Sequence, residues 1–156
     1  METIEVSGLG KLSASIVTMR KPGRSYTCQE EQASLNVQND VSFDIAFVKL
    51  DKGYYPEGNS CDFSISSQTE CSIGFLLELK GRDMEHAVEQ LGTTLARLKM
   101  DGVGIQYREA SVVASGAKKI PSATWQLYQQ KFFKANKIRL SRYLNNGNVL
   151  FSKTIV

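Results

Sequence analysis

A chain of 156 residues, 42 % hydrophobic and 22 % charged, suits a single domain spanning residues 1–156. No apolar run approaches a membrane span, and Glu2 and Glu5 stand where a secretory signal would be basic; the expectation is a cytoplasmic protein without a membrane partner. Cys28, Cys61 and Cys71 are odd in number and form no Cys-x-x-Cys pair. That excludes a disulfide framework and a zinc site, and predicts free, mostly buried thiols in a reducing compartment.

The net charge of +3 hides an asymmetry: residues 1–96 carry 8 Lys and Arg against 14 Asp and Glu, residues 97–156 carry 11 against 2. Such a basic half offers either a surface for a polyanion or a face that pairs with the acidic half of the same molecule.

In chain order, alternation over Leu12 to Thr18 predicts a strand, and Lys21-Pro22-Gly23-Arg24 a turn. Val41 to Leu50 reads as a strand with Phe43, Ile45 and Phe47 on one side, followed by a turn at Asp51-Lys52-Gly53. Cys61 to Ser66 is a short strand. Ser72 to Leu79, SIGFLLEL, is apolar enough to be covered on both faces. Asp83 is placed to cap a helix whose stripe is Met84, Ala87, Val88, Leu91, Leu95 and Leu98, ended by Asp101-Gly102. Ile105 to Ala114 is another strand, and Ser122 to Ala135 a helix that Ser122 would cap. In that helix Trp125, Tyr128, Phe132 and Phe133 read as core. Lys137 to Tyr143 and Val149 to Thr154 suggest a hairpin around Asn145-Asn146-Gly147. The order predicts an α/β (α+β) protein with a mixed central β-sheet flanked by helices.

The pattern Asp/Glu-x-Lys occurs once, at Glu78-Leu79-Lys80, where the most apolar strand ends. Glu78 and Lys80 share one face, and charge at the end of a buried strand needs a reason. Asp62 lies 16 residues upstream on the strand expected to pair with it. Adjacent carboxylates repel unless a proton or a cation lies between them, and a hard cation such as Mg²⁺ suits two carboxylates with waters. A lysine beside them could orient water or stabilise charge on a phosphate. His86 stands alone, which argues against Ser-His and Cys-His hydrolases. Gly8-Leu9-Gly10 and Gly102-Val103-Gly104 lack the spacing of a nucleotide-binding loop.

The stretch Cys61-Asp62-Phe63, Phe75-Leu76-Leu77-Glu78-Leu79-Lys80-Gly81 and Glu85-His86-Ala87-Val88-Glu89-Gln90-Leu91 resembles the core of the PD-(D/E)xK nuclease superfamily, the group of restriction endonucleases and junction resolvases. The resemblance covers about thirty residues and implies a restriction-endonuclease-like fold and hydrolysis of phosphodiester bonds in DNA, in defence, repair or mobile-element biology. It implies a Mg²⁺ or Mn²⁺ site made by Asp62, Glu78 and the Leu79 carbonyl, with Lys80 supporting the attacking water and Gln90 near the site. Cys61 stands where the family has proline. Glu30 or Glu31 could supply the acidic residue that many members carry on an early helix, although no helix is evident there. Lys118, Lys119, Lys131, Lys134, Lys137, Arg139 and Arg142 could then track a phosphate backbone, or form only a solvated face. A chain this small would gain specificity from a homodimer or a partner protein. The other readings are a nuclease-fold subunit that binds without cleaving, and an unrelated α+β interaction protein with a chance Glu-x-Lys.

Overall fold

The computed structural model describes residues 1–31, 33–80, 83–114 and 120–156, with the side chains of Lys80 and Ala114 outside that description. The chain begins with an antiparallel pair, β1 (Thr3–Val6) and β2 (Gly10–Ser13). The strand expected over Leu12 to Thr18 is interrupted. The Ser13 side chain accepts a hydrogen bond from Ser15 N, which nucleates a 3-10 turn at Ala14–Ile16, and β3 (Val17–Arg20) departs for a different sheet.

Next come β4 (Ser25–Glu30), β5 (Ala33–Gln38) and β6 (Ile45–Lys49). The expected strand start at Val41 is wrong by four residues for a local reason. The buried Asn39 side chain donates to Phe43 O and accepts from Val41 N, which curls that segment and leaves Phe43 49 % exposed. β7 (Phe63–Ser67) and β8 (Ile73–Lys80) follow. Gly74 in β8 lies against the Ile65 carbonyl, where a Cβ would collide, and the register shifts between Gly74 and Phe75.

Helix α1 (Met84–Met100) starts as expected, with the Asp83 side chain accepting from His86 N. It leads to β9 (Gln106–Ala114), α2 (Ser122–Asn136), β10 (Arg139–Leu144), β11 (Gly147–Leu150) and the one-turn α3 (Phe151–Thr154). Ser122 is the first helical residue of α2 rather than its cap; the cap position is Pro121, which offers no side-chain acceptor.

Among the described residues, six strands form a mixed sheet in the order β10-β9-β8-β7-β6-β3. Neighbours from β3 to β8 are antiparallel, and β8, β9 and β10 are parallel. The two parallel links are bridged by α1 and α2, the long crossover that parallel neighbours require. One face is covered by these helices and by β1–β2, with Leu76, Ala87, Leu91, Leu98, Val112 and Trp125 packed together. The other face carries Ile45, Phe47, Phe75 and Leu77 and is covered by a three-stranded sheet, β11-β5-β4, and by α3. The mixed central sheet is as expected, and its second cover is a small sheet in addition to the single helical turn.

The expected C-terminal hairpin does not form. The turn at Asn145-Asn146 exists, with Asn146 at φ 60°, but β10 pairs in parallel with β9 and β11 in parallel with β5. Ser34 N donates to the Asn145 side chain and Asn146 N to Ser34 O, so the turn passes the chain from one sheet to the other. None of the described helices is long and apolar enough to cross a membrane.

Candidate active site

The β7–β8 register pairs Phe63 with Leu77, and one further step sets Asp62 opposite Glu78. The main chain at Asp62 turns toward β6, where its carbonyl accepts from Leu50 N. Its side chain takes the next rung on the β8 side, with Oδ2 accepting from Leu79 N at 2.7 Å. Glu78, 2 % exposed, lies between Leu77 and Leu79 of one core and follows Leu76 of the other, on the helix-covered face.

The Asp62 and Glu78 carboxyl groups are hydrogen-bonded to each other. Such a bond needs a proton between them. Burial is the largest influence on Asp62 and pushes its carboxyl up to about 6; the bonds from Glu78 and Leu79 N pull it down, and the charges of Glu30 and Asp51 push it up again.

The flank of α1 completes this corner. Gln90 Nε2 donates to Ser60 O at 2.7 Å, and its Oε1 is buried without a hydrogen-bond partner. One turn on, Thr94 Oγ1 accepts from Cys61 N at 2.8 Å and donates to Gln90 O. Ser60 and Cys61, the two residues before Asp62, are thus fastened to the helix, and both are fully buried. Gln90 and Thr94, at i, i+4 spacing on the flank beside the apolar stripe, both bond the segment that leads into Asp62; no sequence signal marks Ser60. Glu30, at the end of β4 rather than on a helix, lies close enough for its charge to act on Asp62. Lys80 is the last residue of β8, and its side chain lies outside the described residues.

The basic residues divide. Lys118 and Lys119 lie outside the described residues. Lys131, Lys134, Lys137 and Arg142 are exposed. Arg139 does not belong with them: its Nε is 2.6 Å from Glu109 Oε1, and its other nitrogens donate to the carbonyls of Lys153 and Val156. Glu109, 1 % exposed, also accepts from Ser111, Ser141 and Tyr143. In α2, Trp125 and Phe132 are buried as expected, whereas Phe133 is 56 % exposed.

No family model, curated protein or solved structure matches the chain.

The donor set at Asp62 and Glu78 fits a hard divalent cation. Both groups offer oxygen, and the shared proton marks a position where positive charge already relieves their repulsion. Among the described residues no group of three or more His, Cys, Asp or Glu is placed to hold a metal. A bound ion would therefore complete its coordination with waters, phosphate oxygens and the Leu79 carbonyl, the arrangement Mg²⁺ tolerates best.

Proposed function

We propose that this chain is a Mg²⁺- or Mn²⁺-dependent nuclease of the PD-(D/E)xK type that hydrolyses phosphodiester bonds in DNA. The observation that carries the reading is the buried, proton-sharing pair Asp62–Glu78 at the end of a central strand of a mixed α/β sheet. Charge is not placed at such a position for stability, since burying it costs more than a hydrophobic residue would. A divalent cation bound there would neutralise charge on a phosphodiester and make water a better nucleophile. The chain's own groups do the rest. Asp62 is held by Leu79 N and by its neighbours' bonds to α1, so its carboxylate is oriented before any ligand arrives. Lys80 is assigned the support of the attacking water, and Lys131, Lys134, Lys137 and Arg142 are the exposed cations available to a phosphate backbone.

A second reading, a nuclease-fold subunit that binds nucleic acid or protein without cleaving, is favoured by the lack of a third acidic or histidine ligand among the described residues. Supercoiled plasmid, linear duplex and single-stranded DNA incubated in Mg²⁺, in Mn²⁺ and in EDTA separate the two. Metal-dependent cleavage that disappears in Asp62→Ala and Lys80→Ala establishes the nuclease. Folded protein that cleaves nothing establishes the binding subunit, and cleavage that survives both substitutions overturns the site assignment.

A further inference from the structure

From Ala110 to Val156 the chain contains no Asp or Glu. Arg142 sits in this stretch, on the edge strand β10 of the six-stranded sheet. Its register partner is Val112 of β9, and Val112 is also the partner of Glu78 of β8. Glu78, Val112 and Arg142 therefore form one row across three parallel strands. Residues paired in a row project to the same face, and Val112 packs in the helix-covered core. Two strand spacings of about 4.8 Å put the Glu78 and Arg142 backbones about 10 Å apart. That distance corresponds to about three phosphate-to-phosphate steps of one strand at ~3.4 Å each along a duplex axis.

Arg142 is also pre-set for anion recognition. Its guanidinium lies 5.0 Å from the centre of the Trp125 ring, and Trp125 is buried, so the stack has a rigid base. No hydrogen bond or ion pair of the described residues engages this guanidinium, in contrast to Arg139 three residues earlier. An exposed guanidinium resting over a buried aromatic ring, with no protein acceptor of its own among the described residues, suits contact with a phosphate.

We infer that Arg142, stacked on Trp125, binds a backbone phosphate of the nucleic-acid substrate within a few nucleotides of the bond presented to Asp62 and Glu78. The inference rests on the nuclease reading and adds to it a second anchor for the substrate backbone, two strands from Glu78.

The test is binding of short fluorescein-labelled single-stranded and duplex oligonucleotides, followed by anisotropy in EDTA over a salt series. Wild type, Arg142→Ala, Arg142→Lys and Lys153→Ala are compared after thermal melts have shown that each is folded. Lys153 is a control basic residue on α3, the helix that covers the other face of the sheet. The expected result is a several-fold loss of affinity in Arg142→Ala with a salt slope shallower by about 0.7–0.9. Arg142→Lys should restore the slope but not the full affinity, because lysine keeps the charge and loses the planar fork. Lys153→Ala should match wild type. If wild type binds and Arg142→Ala matches it in affinity and slope, the phosphate site is wrong while the nuclease reading stands. Equal losses in Arg142→Ala and Lys153→Ala also overturn it, as a general charge effect. A wild type that binds neither oligonucleotide overturns the nucleic-acid reading and this inference together.

Discussion

Asp62, one step beyond the Phe63–Leu77 pair, stands opposite Glu78 at the end of the β7–β8 ladder, and their carboxyl groups are hydrogen-bonded to each other. The pair is costly to the fold alone, because two acids sit where one apolar side chain would satisfy the strand end. That tension between stability and chemistry sets the first two predictions.

The Asp62 carboxyl titrates at about 6 in the fold against 3.8 for the free side chain. Between these values the folded state holds a proton that the unfolded chain has released. Stability in metal-free buffer should therefore fall as pH rises through that window, by up to about 1.4 kcal/mol per pH unit. Urea midpoints in EDTA across this range measure it, and a contribution that grows with pH would contradict the upward push that burial gives the Asp62 carboxyl.

Asp62→Asn should raise stability at neutral pH while removing activity. The amide oxygen can still accept from Leu79 N, and the amide NH₂ can donate to Glu78 without a shared proton. A gain of about 1–2 kcal/mol corresponds to a melting temperature higher by a few degrees for a chain of this size. Scanning calorimetry in EDTA reads the shift; a lower melting temperature would show that the pair stabilises the fold.

Gln90→Ala should loosen the segment that carries Asp62. The substitution frees Ser60 O from its 2.7 Å bond, at a cost of about 1 kcal/mol. If Gln90 positions the segment rather than touching substrate, kcat should fall while KM for DNA stays near the wild-type value. A rise in KM with kcat unchanged would assign it to substrate binding instead.

The Glu109–Arg139 pair is a separate, structural element. Arg139→Ala leaves the buried Glu109 with only hydroxyl donors and should cost about 2–3 kcal/mol, less than a fully buried pair because the Arg139 side chain is 37 % exposed. The same substitution should leave the salt dependence of DNA binding unchanged. Denaturant titration and a binding salt series check both halves, and a shallower salt slope would return Arg139 to the phosphate contacts.

Legibility in the sequence followed the range of the interactions. Asp83 as helix cap, the α1 stripe, the apolar strand β8 and the Asp62–Glu78 pairing depend on spacings within about twenty residues, and each is present. What the sequence concealed depends on contacts far along the chain. The parallel pairing of β10 with β9 turned an expected hairpin into a crossing between sheets, fixed by Ser34 and Asn145 more than a hundred residues apart. The Arg139–Glu109 bond, thirty residues apart, removed one cation from an otherwise uniform basic list. Asn39 bonding Val41 and Phe43 overrode an alternation that read as strand.

The central claim is that Asp62 and Glu78 together hold one divalent cation, and titration of Mn²⁺ or Mg²⁺ into metal-free protein by isothermal calorimetry addresses it most directly, with Asp62→Asn and Glu78→Gln beside the wild type. The prediction is one site in the wild type, with proton release on binding at pH near 6, and loss of that site in both variants. A wild type that binds no ion, or variants that bind as well as it does, would contradict the claim.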